Sequence, residues 1–325
     1  MFPTLTVIDT PRGPVPLHTY GAMMLVAFSV AFLLVHHRSR RVGIHPDRLL
    51  PLYLAAFAGG LVGARLLYAV AVDWEQTWAD PASLLAFSGF AYYGGVMGGA
   101  LGVFVVARIQ HIPFWKFADI ASPALVLGLA LGRIGCLCAG CCHGARAPTP
   151  AHPIALLPDG PLSGQLWLDR RLPWITAEFY EGGVTRAELL HTPLYPTQLW
   201  AVVGGLALAG LLVWMWRHRR FDGQITALML VFQPIYRIVV ESFRADHRGY
   251  AVSWEASPRL VELLPGLSRA GESLPITSAA VRVGLTTSQT IGLAMIALGL
   301  VLLVVRHRAG IAPEEELVAD EFPED

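Results

Sequence analysis

Seven stretches of this chain are long and apolar enough to cross the hydrocarbon core of a bilayer, which takes about 20 helical residues. They fall near 17–35, 49–72, 84–106, 117–137, 198–216, 224–242 and 288–305. No other feature limits the fold as much. Inside lipid a backbone has to satisfy its own hydrogen bonds, and segments of this length do so as helices. The expected fold class is all-α: a polytopic membrane protein whose seven transmembrane helices form a single integral-membrane domain over residues 1–325. Composition removes the main competitors. Charged residues are 15% of the chain, against about a quarter in soluble domains. With 54% apolar residues it is no solvated coil. Basic and acidic residues number 24 each, so no basic surplus exists to meet a nucleic-acid backbone.

Basic residues gather in alternate connections: Arg38, Arg40, Arg41 and Arg48; Arg108 and Lys116; Arg217, Arg219 and Arg220; Arg306 and Arg308. The connection after the second span has Asp73, Glu75 and Asp80 but no Lys or Arg. The positive-inside rule then puts the N-terminus outside and the acidic tail, 309–325, inside. Two long connections, 138–197 and 243–287, lie outside on this reading and are expected to cap the bundle. The head of the chain lacks a basic n-region, so a cleaved signal peptide is not expected. No repeat of fixed period supports an inverted-repeat transporter.

Ionisable side chains inside spans cost roughly 2.5–3.5 kcal/mol each on insertion scales and are functional candidates by default. Here they are Arg65, Arg133, Arg237, Glu241 and Arg244, with His18, Tyr20, Tyr92 and Tyr93 as polar neighbours. Counting helical rise from the cytoplasmic ends puts Arg65 and Arg133 about 24 Å up, Arg237 about 20 Å up, and Tyr93 about 13 Å below the outer surface. His18 and Tyr20 fall at the outer mouth of the first span. The expected result is a polar cluster in the outer half of the membrane. Arg237, Glu241 and Arg244 are spaced i, i+4, i+7, one stripe on a helix. They suit a buried ion network, which persists where it fixes helix packing. With Arg65 and Arg133 added, cations exceed the one carboxylate, and the surplus suits an anionic lipid head group.

Gly94, Gly95, Gly98, Gly99 and Gly102 crowd the third span, where small residues let helices approach closely. Packing is expected at Gly98, Gly99 and Gly102; at Gly94 and Gly95, beside Tyr93, ligand space is equally open. Cys136, Cys138, Cys141 and Cys142 precede His143. Cys138 and Cys141 have C-x-x-C spacing, which suits metal ligation. An outward-facing disulfide and simple packing of small thiols are the other readings. No metal or cofactor is assigned on this basis.

Together these segments resemble prolipoprotein diacylglyceryl transferase, the bacterial membrane enzyme that lipidates the lipobox cysteine of lipoprotein precursors. Leu17-His18-Thr19-Tyr20-Gly21-Ala22-Met23 is close to the family's LHxYGxM, and Gly63-Ala64-Arg65-Leu66-Leu67-Tyr68 to its GxRxxY. Asp119-Ile120-Ala121-Ser122-Pro123, Gly132-Arg133-Ile134-Gly135 and Gly144 follow D-x-x-A-P and GRxGNFxNxExxG. Tyr195-Pro196-Thr197-Gln198-Leu199-Trp200 is similar to HPxQLY, and Arg237 to Arg244 matches R-x-x-V-E-x-F-R. The matches are collinear from Leu17 to Arg244.

The departures lie in the site. Tyr93, before the double glycine, and Tyr195 stand where the family has His; Cys136 and Cys141 stand where it has Asn and Glu. The arginines are intact. The resemblance implies transfer of a diacylglyceryl group from phosphatidylglycerol to a precursor's cysteine thiol, in a bacterial inner membrane with the two long loops as a periplasmic cap. It implies catalytic roles for Tyr93, Arg237, Glu241 and Arg244, with Glu241 orienting Arg237. Substrate contacts fall to Arg133, His18, Tyr20, Arg65, Gly94 and Gly95. His143 is a second candidate base. The substitutions equally permit a non-catalytic lipid-binding or transport paralogue on the same scaffold.

Overall fold

The computed structural model describes residues 4–10, 13–71, 74–80, 84, 89, 91–139, 141–145, 150–157, 164–169, 175–179, 193–244, 250–256 and 281–309. Strands β1 (Thr4–Thr10) and β2 (Gly13–His18) form an antiparallel hairpin leading into α1 (Thr19–Arg41). Then come α2 (Leu49–Ala71), the short α3 (Trp74–Ala79), α4 (Tyr92–Ile109) and α5 (Phe114–Ala139). Strands β3 (Pro150–Leu157), β4 (Gly164–Asp169), β5 (Ile175–Phe179) and β6 (Pro193–Leu194) form an antiparallel sheet in chain order. Helices α6 (Thr197–Met215) and α7 (Gln224–Glu241) follow. A hairpin of β7 (Tyr250–Ala256) and β8 (Val281–Thr286) precedes α8 (Thr287–Arg308). Among the described residues seven helices are long and apolar enough to cross a membrane and three small sheets form, so the protein is an all-α polytopic membrane protein.

Two expected boundaries move. The first span was expected from Leu17, but Leu17 and His18 pair with Thr6 and Thr4 in the hairpin, so the helix starts at Thr19. The third was expected from Leu84; α4 starts at Tyr92, which puts Tyr93 in its first turn rather than well inside. The reason is Arg65. Its guanidinium donates to the carbonyls of Leu84 (3.2 Å) and Gly89 (3.3 Å). The Ala91 amide donates to the Ala64 carbonyl at 3.0 Å. Carbonyls used this way are not used by a helix. The hairpin at the head of the chain and the sheet and hairpin in the long connections were not foreseen, and the tail beyond 309 lies outside the described residues.

The chain divides into two compact units: Met1–Phe32, Ser122–His218 and Ala227–Val305; and Leu33–Ala121, Arg219–Thr226 and Arg306–Asp325. In the second, α2 and α4 meet backbone to backbone. A Cβ built on Gly98 would strike the Gly59 carbonyl and the Gly63 Cα, and one on Gly94 would strike the Gly63 carbonyl and Leu67 Cβ. Helices this close gain dispersion contacts, which replace the missing hydrophobic drive in lipid. The buried Asp119 carboxylate accepts from the Gly223 amide (2.8 Å), the Thr226 amide (2.8 Å) and the Thr226 hydroxyl (2.7 Å). It thereby satisfies the first amides of α7, which carry the positive end of its dipole.

In the first unit a glycine stripe on α5 receives α1. A Cβ on Gly128 would sit 3.7 Å from the Ala27 carbonyl oxygen, one on Gly132 3.3 Å from the Met24 sulfur, and one on Gly135 3.1 Å from Met23 Cβ. Gly205 of α6 opposes Ala130, and Gly292 of α8 opposes Pro234 and Ile238 of α7. At the head of α8, the Thr286 hydroxyl accepts from the Gln289 amide at 3.2 Å. The Gln289 carboxamide oxygen accepts in turn from the Thr286 amide at 2.9 Å, a reciprocal capping box.

Gly98→Ala is expected to lower unfolding stability in detergent by about 1–3 kcal/mol or more, because only backbone stands in the way. Gly210→Ala, with nothing within 4 Å of the new methyl, serves as the neutral control.

Candidate active site

Three helices of the first unit enclose a cleft. From α5 come Val126, Leu129, Ala130 and Arg133; from α6 Ala201 and Gly205; from α7 Gln233, Tyr236, Arg237, Val240 and Glu241, with Arg244 just beyond. The apolar residues are what spans supply, and Gly205 brings α6 close enough to shape the wall. Among the described residues, three arginines and one carboxylate share this cleft.

Each charge is answered differently. Glu241 and Arg244 approach to 4.0 Å, their side chains only 4% and 3% exposed. Arg237 donates to the Ser288 hydroxyl at 3.5 Å. Arg133 is half-buried, and among the described residues its guanidinium makes no hydrogen bond or ion pair. Tyr236 lies within the field of Arg133 and Arg237 while its hydroxyl donates to the Ala201 carbonyl at 2.9 Å.

Two details of the expected stripe change. Arg244 is not on α7, which ends at Glu241; a turn carries Arg244 into a backbone bridge with Gly144. Glu241 consequently pairs with Arg244 rather than orienting Arg237. Chain direction, not helix phase, sets this geometry.

The turn after α5 is pinned from several sides. The Gly144 amide donates to the Tyr195 carbonyl (3.0 Å) and the Ala145 amide to the Phe243 carbonyl (2.8 Å). Gln198 Nε2 donates to the Cys141 carbonyl at 2.9 Å, and the Thr197 hydroxyl to that of Cys142 at 2.9 Å. Cys142 holds φ +62°. The Cys136, Cys141 and Cys142 sulfurs all lie within 4.8 Å of one another, and Cys138 is outside that group. The C-x-x-C pair read from sequence is therefore not the one the fold assembles: helix geometry turns residue 138 roughly 200° from 136. Hydrogen bonds with Cys136 and Cys141 hold the Cys142 thiol well below its usual range, with Arg244's charge and hydrogen bond acting the same way against burial. For Cys141 the bond with Cys136 acts downward, but that with Cys142 and burial carry the thiol upward.

Of the sequence candidates, His18, Tyr20, Arg133, Arg237, Glu241 and Arg244 belong to this unit. His18 is exposed at the end of β2. Tyr20 is 43% exposed in the first turn of α1, within the field of Arg133 and the three cysteines. His143 Nδ1 donates to the Gly144 carbonyl at 3.0 Å. Arg65, Tyr93, Gly94 and Gly95 belong to the other unit. There Arg65 is committed to backbone carbonyls and Tyr93 is buried edge-on to Tyr92, ring centroids 5.1 Å apart. Gly94 faces α2. The sequence reading did not single out Gln233 and Tyr236 and took Thr197 and Gln198 only as part of a motif, since it followed charged groups within spans first.

The family model described as prolipoprotein diacylglyceryl transferase matches residues 7–305. The chain belongs to this family. Relatives carrying the name phosphatidylglycerol–prolipoprotein diacylglyceryl transferase align across most of both chains. That of Escherichia coli is 29% identical over 78% of this chain and 86% of its own. That of Synechococcus elongatus is 30% identical over 75% and 77%, and that of Clostridium tetani 28% over 72% and 83%.

Glu241→Gln strips the buried Arg244 of its carboxylate and is expected to cost about 3 kcal/mol in unfolding stability. The Glu241→Gln/Arg244→Met double variant should regain most of that loss in a thermal melt, since neither charge of this pair is then left buried without the other.

Proposed function

We propose that this protein is a phosphatidylglycerol–prolipoprotein diacylglyceryl transferase of a bacterial inner membrane, forming a thioether between a diacylglyceryl group and a lipobox cysteine. One observation carries the reading: among the described residues, a cleft between membrane-spanning helices holds three arginines against one carboxylate, a surplus that suits a phosphate leaving group. In the proposed reaction a thiolate attacks the glyceryl carbon and the carbon–oxygen bond to phosphate breaks, with glycerol phosphate leaving. Arg133, free of other hydrogen-bonding demands among the described residues, grips the phosphate, and Arg237, steadied by Ser288, is its second member. Glu241 acts through Arg244, at the edge of the cleft. Tyr93 stays a proposed proton relay on the motif argument alone; phenols, with pKa about 10, are poor bases at neutral pH. Arginine placement supports an N-terminus in the periplasm and a C-terminus in the cytoplasm.

The second reading, a lipid-binding or transport paralogue, draws on Tyr93, Tyr195, Cys136 and Cys141 in place of acid–base residues. Phosphatidylglycerol and a lipobox peptide offered to the purified protein separate the two: thioether product supports transfer, and binding without product supports the paralogue. Arg133→Ala should weaken phosphatidylglycerol binding about 10- to 100-fold, equivalent to roughly 1.5–3 kcal/mol, without preventing membrane insertion. Unchanged affinity would remove Arg133 from the clamp. For orientation, a phosphatase fused after Arg308 should be inactive; an active fusion reverses the assignment.

A further inference from the structure

The three-sulfur group at the end of α5 has no part in the chemistry above. Cys136, in the last turn of α5, is buried; Cys142 is half-buried; Cys141 is exposed. Between them the chain is fixed by the Cys141 amide on the Cys136 carbonyl (3.1 Å) and by Gln198 and Thr197 on the carbonyls of Cys141 and Cys142. These bonds take up backbone acceptors and leave the sulfurs facing one another. Cys142 is held at φ +62°, a left-handed conformation that costs most side chains energy and is kept where surrounding contacts over-determine it.

Neither ordinary use of thiols accounts for this. Packing does not explain an exposed Cys141. Neighbouring Cα atoms are about 3.8 Å apart, closer than disulfides usually accept, so Cys141 and Cys142 do not suit one another. A bond from Cys136 to either leaves the third sulfur unused. A metal ion uses all three. Tetrahedral zinc, with Zn–S near 2.3 Å, spaces its sulfurs about 3.8 Å apart. The three sulfurs already lie within 4.8 Å of one another, within about 1 Å of that spacing.

We propose that Cys136, Cys141 and Cys142 bind a zinc ion whose fourth position, open on the Cys141 side, accepts the thiol to be lipidated. Three protein ligands and one exchangeable place is the pattern of catalytic rather than structural zinc. Three thiolates and Zn²⁺ carry one net negative charge, and Arg244, in contact with Cys142, offsets it from outside the ligand set. The same arginine lines the cleft assigned to the phosphate, so acceptor and donor sites share a wall. A coordinated thiol is deprotonated outright, its proton passing to water. Its sulfur lone pair then forms the bond to the glyceryl carbon while the carbon–oxygen bond breaks and its electron pair leaves on phosphate. The thioether is neutral and a weak ligand, so it departs and the next thiol enters. No oxidant or reductant takes part. Zinc in this place supplies the deprotonation that Tyr93 performs poorly. The thiol-lipidation role rests on the transferase reading; metal binding does not.

The test uses the full-length protein purified without chelators. Elemental analysis should find about one zinc per chain, lost in Cys136→Ser, Cys141→Ser and Cys142→Ser but retained in Cys138→Ser, with melting curves confirming that each variant folds. Cobalt(II) exchanged for zinc should show sulfur-to-metal charge-transfer bands that shift with a lipobox peptide and not with its Cys→Ser counterpart. Transfer should fall roughly 10²-fold or more on chelation and return with zinc. A folded protein with no zinc, or with a disulfide between two of these cysteines, overturns the site. Zinc bound with transfer indifferent to its removal overturns the thiol-activating role. Cobalt bands that respond to the peptide in a protein without transfer activity uphold the site while the transferase reading fails.

Discussion

Positive charge buried among membrane-spanning helices has to be compensated, and the arrangement of polar groups in this protein follows from that requirement. An arginine in hydrocarbon costs several kcal/mol unless hydrogen-bonded or paired. Arg65 meets the cost with the Leu84 and Gly89 carbonyls, and the chain before α4 is shaped by doing so. Arg244 meets it with Glu241 and Cys142. Arg133 does neither among the described residues, and its place on a cleft is what gives that cleft a chemical direction.

Close helix packing makes such placements rigid. In lipid no hydrophobic drive joins helices, so contact area has to come from approach distance, and glycine supplies it. The α2–α4 contact around Gly59, Gly63, Gly94 and Gly98 and the α5 stripe of Gly128, Gly132 and Gly135 are two examples, one in each unit. In the second case packing and site use different faces of α5: the glycines meet α1, while Val126, Leu129, Ala130 and Arg133 line the cleft toward α6 and α7.

The segment from Tyr195 to Gln198 has a comparable double use. Tyr195 is buried against Trp200 and Phe243 and pairs through its backbone with Gly144 and Ala145, while Thr197 and Gln198 reach the carbonyls of the cysteine turn. One short stretch at the start of α6 thus orders the end of α5 and the residues after α7. The proposed zinc site depends on that order, because sulfurs carried on a loose turn would not face a common point.

Spans, fold class and family were legible in the sequence, because hydropathy over about 20 residues and a collinear set of motifs are properties of the chain itself. That Arg133, Arg237, Glu241 and Arg244 stand out as charge within apolar spans was legible for the same reason, and the fold brings them to one cleft. Their pairing was not legible. Glu241 stands four residues from Arg237 and three from Arg244, and helix spacing alone favours neither; the turn at Ser242–Phe243, held by its bridge to Gly144, decides for Arg244. The cysteines show the same limit, since C-x-x-C spacing selects Cys138 while the end of the helix selects Cys136, Cys141 and Cys142. Sequence determines which groups must be buried and along which helices. Only tertiary structure decides who meets whom, because the helix ends and turns that set those meetings are fixed by hydrogen bonds to residues distant along the chain.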